Sequence, residues 1–108
     1  GSEGDRLVGV LDCKLDDETA GLAHAGLLLL APPYDDPDIR GLALRMAERW
    51  LAGAYGVTRI ETGVPAHDAA ELAFWQAQGY AFTGGQYRRN LPGYSPRLLV
   101  LAKAVNEF

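Results

Sequence analysis

Apolar residues cluster along this chain in short alternating or continuous runs separated by polar turns. Residues 6–15, carried by Leu7, Val8, Val10, Leu11 and Leu15, predict a strand, and Asp16-Asp17-Glu18 predicts the turn that ends it. Residues 22–31 are nearly continuous in apolar character and predict a second strand, central in its sheet. Pro32-Pro33 stops it, because proline has no N–H to donate to a ladder. A loop with three aspartates, Asp35, Asp36 and Asp38, follows.

The clearest helix covers residues 39–54. Ile39, Leu42, Ala43, Met46, Ala47, Trp50, Leu51 and Ala54 recur at three- and four-residue spacing and predict its core-facing stripe. Arg40, Arg45, Glu48 and Arg49 fall off that stripe, Asp38 is the expected N-cap, and Gly56 the expected stop. Residues 57–64 return to strand character. Residues 68–78 predict a second helix with apolar Leu72, Phe74 and Trp75, capping-box spacing at Asp68 and Glu71, and Gly79 as its terminating glycine. Two more strands, 80–88 and 97–105, flank a turn-rich segment, Asn90 to Pro96. The order strand, strand, helix, strand, helix, strand, strand predicts a mixed α/β sheet with two helices packed on it.

Composition narrows the function classes. The chain has 108 residues, of which 48% are hydrophobic and 22% charged, ordinary values for one globular domain with its own core. A net charge of −4 gives no electrostatic reason to expect nucleic acid or an anionic membrane as partner. The pair Arg88-Arg89 is too small for a nucleic-acid footprint. Cys13 is alone, so no internal disulfide forms, and a cytoplasmic setting is the simpler expectation. It reads as a small hydrophobe rather than a nucleophile. No apolar run approaches the length of a transmembrane helix. Gly1-Ser2 reads as a cloning scar, leaving residues 3–108 as one domain.

Three segments, in order, resemble the GNAT family of N-acetyltransferases. The first is Leu28-Leu-Leu-Ala-Pro-Pro-Tyr34 with Asp38-Ile-Arg-Gly-Leu-Ala43. It is similar to the family's phosphate loop, Gln/Arg-x-x-Gly-x-Gly/Ala, with Gly41 and Ala43 matching and Asp38 in place of Gln or Arg. The second, Asp68 to Tyr80, resembles Asn-x-x-Ala-x-x-Phe-Tyr-x-x-x-Gly-Phe, with Asp68, Glu71, Trp75 and Tyr80 as departures. The third is the closing pair of strands. The resemblance implies a mixed, mostly antiparallel GNAT-like sheet of about five strands with two helices, lacking the family's usual N-terminal strand-helix-helix-strand segment. The second and third predicted strands would be central and splayed at one end, admitting the pantetheine arm of coenzyme A.

The resemblance further implies acetyl-CoA as cosubstrate, no metal, and direct acetyl transfer to a small-molecule or peptide amine. Cofactor contacts would come from Leu30 and Ala31 at the end of the central strand, from Ile39, Arg40, Gly41, Leu42 and Ala43 at the helix start, and from Asp68 and Trp75. A helix N-terminus suits an anion, and glycine lets it come close. His24, on the central strand, is the candidate base. Trp75 stands where many members have the tyrosine that protonates the leaving thiolate, and its indole N–H is no acid. Tyr80, Tyr87 or Tyr94 would take that part, and Tyr94 is the one singled out. A rival reading is a GNAT-like module that binds or dimerises without catalysing, suggested by the acidic loop, Trp75 and the missing segment. An uncovered first strand would also be an exposed edge, which implies a homodimer.

Overall fold

The computed structural model describes residues 9–30 and 36–105, with side chains left undescribed at 9–11 and 27–30. Its elements run β1 (Gly9–Leu15), β2 (Leu22–Leu30), α1 (Pro37–Tyr55), β3 (Arg59–Pro65), α2 (Ala69–Ala77), β4 (Ala81–Arg88) and β5 (Arg97–Ala104). They form one five-stranded sheet in the order β1-β2-β3-β5-β4. Only β2 and β3 are parallel; the other three pairings are antiparallel. Both helices follow a strand of the parallel region and pack on one sheet face, as crossover connections require. The part of the first predicted strand before Gly9, and Ala31, Pro32, Pro33, Tyr34 and Asp35, lie outside the described residues.

Ala23 and Ala25 of β2, Ile60 and Val64 of β3, and Leu101 of β5 meet Leu44 and Leu51 of α1 and Phe74 and Trp75 of α2 in the core. Strand alternation puts His24, Glu61 and Gly63 on the opposite, helix-free face. Lys14 pairs with His24 across β1 and β2 and lies on that same face.

The helix α1 rotates away from the expected stripe. Its buried residues are Gly41, Leu44, Glu48, Leu51 and Ala52, while Leu42, Met46 and Trp50 are 53%, 64% and 59% exposed. Two apolar stripes run along this helix, and periodicity alone ranks them by bulk. The sheet instead takes the stripe whose charged member finds partners: buried Glu48 accepts from the Tyr80 hydroxyl at 2.7 Å and from Lys103 Nζ at 2.9 Å. Glu48, placed off the core face by sequence pattern, therefore lies on it.

The helix also starts earlier than expected. Asp36, not Asp38, is the N-cap: its Oδ1 accepts from the Ile39 N–H at 2.9 Å, and Pro37 takes the first helical position. Gly56 closes α1 in the left-handed conformation, φ +67°. In α2, Asp68 caps the Glu71 N–H at 3.1 Å, but Glu71 does not complete a capping box. Its carboxylate turns to Arg40 and to the Trp75 indole. A Schellman ending follows, with Gly79 N–H on the Gln76 carbonyl and Tyr80 N–H on that of Trp75. β3 begins at Arg59 rather than at Val57, which is spent plugging the core.

Candidate functional site

The sheet opens where β2 leaves β3. Their parallel ladder runs through Leu22↔Arg59, Ala23↔Ile60 and His24↔Glu61 and stops at Ala25↔Thr62, although both strands continue. A register shift on the other side of β2 explains the departure. Cys13 pairs with Ala25 and Asp12 with Leu27, so Gly26 is the extra residue of a β-bulge. A bulge bends its strand and sharpens its twist. Beyond that point the facing edges of β2 and β3 carry backbone groups that this ladder does not use.

A cleft of about 390 Å³ lies over the opening on the helix-free face, with Asp12, Lys14, His24, Glu61, Tyr87 and Arg89 among its walls. Its floor includes Gly26 and Gly63. A Cβ on Gly26 would come within 3.2 Å of Asp12 Oδ2, and one on Gly63 would overlap the Tyr87 hydroxyl. The two glycines thus let Asp12 and Tyr87 reach in from opposite edges of the sheet and lie over its middle.

His24 is the best-positioned proton acceptor. Its Nε2 lies 2.8 Å from Asp16 Oδ2, and its Nδ1 lies 4.0 Å from Glu61 Oε1. Asp16 is itself fixed, with Oδ1 accepting from the backbone N–H groups of Glu18 at 2.9 Å and Thr19 at 2.7 Å. The hydrogen bond from His24, followed by those two N–H groups, holds the Asp16 carboxyl at about 2, well below the usual carboxylate range. Asp16 thereby stays ionised and orients the imidazole: with Nε2–H donated to Asp16, the lone pair of Nδ1 faces the cleft wall at Glu61. Sequence pattern assigned Asp16 to a turn. The signal that it does more is its place at the hairpin end, where its side chain folds back onto β2.

Tyr94 and His24 are not brought together. Tyr94 sits on a surface turn, bridged to Leu91, at 60% exposure, and takes no part in the cleft walls. Tyr80 is buried, and burial followed by the Glu48 hydrogen bond pushes its hydroxyl pKa far up. Tyr87 is the tyrosine whose hydroxyl reaches the cleft. Cys13 is half-buried against the core, and burial, then Asp12, raises its thiol pKa, which suits a packing role.

The start of α1 is largely satisfied by the chain itself. Pro37 has no N–H, and Ile39 and Arg40 donate to the Asp36 side chain and carbonyl respectively. Gly41, Leu42 and Ala43 lie beyond the first turn. A Cβ on Gly41 would meet the Gln78 side-chain amide at 2.9 Å, so this glycine serves the approach of α1 to the end of α2. The Arg40 guanidinium makes a two-pronged contact with Glu71 at 2.7 and 3.2 Å and lies 4.0 Å over the Phe74 ring. Trp75 is a core residue at 3% exposure, edge-on to Phe74 and Tyr80, its indole N–H donated to Glu71. Asp68 is engaged as a helix cap. For Leu30 only the backbone is described, and Ala31 lies outside the described residues. Among the described residues no group of three or more His, Cys, Asp or Glu is arranged to hold a metal ion. No described helix is long and apolar enough to cross a membrane.

No protein-family model matches the sequence, and no curated protein matches it either. Solved structures do. Mutant forms of the spermidine/spermine N-acetyltransferase SpeG from Vibrio cholerae align with a TM-score of 0.78 at 10% identity, over 95% of this chain and 62% of that one. A GNAT-family acetyltransferase from Streptococcus pneumoniae aligns at 0.70 and 16% identity, over 92% and 60%. An acetyltransferase from Thermus thermophilus reaches 32% identity at a TM-score of 0.63, over 94% of this chain and 59% of that one. The chain therefore spans about six-tenths of the length of these neighbours.

Proposed function

We propose that this chain, which shares its fold with about six-tenths of a GNAT-family acetyltransferase, is the C-terminal, donor-binding part of an acetyl-CoA-dependent N-acetyltransferase acting on a small or peptide amine. The observation that carries this reading is the parting of β2 from β3 beyond Ala25 and Thr62, directly beside the His24–Asp16 pair. Parted parallel edges offer backbone donors and acceptors to an amide-containing arm, and acetyl-CoA would supply the activated acetyl group there. His24 takes the amine proton at Nδ1, and Asp16 stabilises the imidazolium that forms.

The fit to the donor is uneven along its length. The parted strands suit the pantetheine arm. The start of α1 suits a pyrophosphate less well, because the Asp36 carboxylate already occupies the Ile39 N–H and Asp38 adds a second negative charge in the first turn. This is the observation that favours the rival reading, a GNAT-like binding module without catalysis.

Calorimetric titration with coenzyme A and acetyl-CoA tests the reading. Micromolar binding that tightens in Asp36→Ser, which keeps a capping oxygen and removes the charge, supports it. Acetyl transfer to an amine panel, lost in His24→Gln with donor binding unchanged, supports the assigned base. Absence of binding at millimolar donor, in both the chain and Asp36→Ser, overturns it. A homodimer built on the β1 edge belongs to the same proposal, since β1 pairs only with β2 among the described residues. A monomeric sedimentation profile at high concentration would remove it.

A further inference from the structure

The cleft carries its charges in two places. At one end, Asp12 overlies Gly26 and Glu61 lies beside His24, whose other ring nitrogen is held by Asp16 from outside the cleft. Glu61 Oε2 is paired with Arg59 at 3.1 Å. Lys14 is also here, but its side chain is 76% exposed and its nearest carboxylate is Asp17 at 4.0 Å. At the other end Arg89 follows Tyr87, whose hydroxyl lies over Gly63. Neither Asp12 nor Arg89 has an ion pair among the described residues, and both face the same cleft. The backbone N–H of Arg89 is already held by the Pro96 carbonyl at 3.1 Å, which fixes where its side chain departs.

We infer that the cleft selects an amine that also carries a carboxylate, an amino-acid-like acceptor whose ammonium enters between Asp12 and His24 and whose carboxylate is held by Arg89 and the Tyr87 hydroxyl. This rests on the transferase reading above, with His24 as the base, and adds the chemical class of the acceptor. An acidic end attracts the protonated amine and leaves His24 to remove its proton. A guanidinium beside a hydroxyl at the far end is suited to a planar carboxylate. Gly26 and Gly63 lie on neighbouring strands, ~5 Å apart or more where the ladder has ended. Asp12 and the Tyr87 hydroxyl overlie these neighbouring strands, so a short, flexible spacer suits a ligand that touches both. A second ammonium at the Arg89 end would be repelled, so diamines are disfavoured.

Three probes of equal length separate the possibilities: 5-aminopentanoate, cadaverine and pentylamine, titrated into the 108-residue chain without acetyl-CoA and followed by amide chemical shifts. The inference expects 5-aminopentanoate to bind ~10-fold tighter than either of the others, with shifts at Gly26, Gly63 and Arg89. Arg89→Gln should abolish that advantage, and Arg89→Glu should transfer it to cadaverine. Both substitutions are on an exposed side chain and leave the fold intact. Equal binding of the three, tightest binding of cadaverine, absence of binding by all, or an advantage that survives Arg89→Gln would overturn it. Because the readout needs no donor, selective binding alongside failed acetyl-CoA binding would sink the transferase reading and leave the cleft's selectivity for an amino-acid-like ligand standing. The reverse result would do the opposite.

Discussion

The Tyr80 hydroxyl donates to Glu48 Oε2 at 2.7 Å, joining the residue before β4 to the middle of α1 inside the core. Glu48 is 6% exposed and Tyr80 2%. A carboxylate at that depth needs its partners, and Lys103 supplies the second at 2.9 Å. Tyr80→Phe leaves one carboxylate oxygen without its donor and should destabilise by about 1–3 kcal/mol, read as a lower urea midpoint at unchanged slope. Lys103→Met strands the charge itself and should cost more. The same burial predicts that Tyr80 stays protonated through alkaline titration until the protein unfolds, when its phenolate absorbance should appear together with the unfolding signal.

Asp16 sets an acid limit on the hairpin. Its carboxyl falls from an ordinary 3.8 to about 2, first through the His24 hydrogen bond and then through the N–H groups of Glu18 and Thr19. A carboxylate whose folded-state pKa is depressed stabilises fully above its unfolded value and loses that contribution as pH falls towards the folded one. The stability difference between the wild type and His24→Gln should therefore shrink as pH falls from about 4 to about 2. In the variant, a carbon-detected titration should find Asp16 moved back up. A carboxyl still titrating near 2 would mean that the turn alone holds it.

Gly41 separates a packing role from a ligand role. Its Cβ would press on the flexible end of Gln78, which also accepts from Arg45 at 3.1 Å. Alanine gains up to ~1 kcal/mol of helix propensity over glycine, so Gly41→Ala should be close to neutral. In a Gln78→Ala background the same change should stabilise by about 0.5–1 kcal/mol. Loss of stability in both backgrounds would count against Gln78 as the group that limits how closely the two helices approach.

The face of α1 is testable by paired substitutions. Leu44, 1% exposed, should cost about 2–5 kcal/mol as Leu44→Ala. Met46→Gln, at 64% exposure, should stay within about 0.5 kcal/mol. The opposite ranking would restore the stripe expected from periodicity.

Local signals carried far in this chain. Alternation, polar turns and glycine ends were enough for the element order, because each depends on the conformational limits of a few neighbouring residues. Gly56 and Gly79 end helices for the same local reason, and Asp68 caps one. The three-part GNAT resemblance added a mixed, mostly antiparallel sheet, without its strand order. The helix face was not legible, because two apolar stripes compete on α1 and the choice rests on Tyr80 and Lys103, 32 and 55 residues further along the chain. Nor was the cap, since adjacent aspartates offer equivalent oxygens until Pro37 fixes the first turn.

His24 could be picked out as a candidate base from its strand position and its chemistry. Its pairing with Asp16, the nearness of Glu61, and the presence of Tyr87 rather than Tyr94 on the cleft wall all depend on how strands meet across the sheet. Residue type and period are properties of the chain, and they fix which elements form and where they end. Register, a bulge at Gly26 and the strand order β1-β2-β3-β5-β4 arise only when distant segments pair. Those pairings put Asp16 and Glu61 beside one histidine, and Asp12, Tyr87 and Arg89 on the walls of the same cleft.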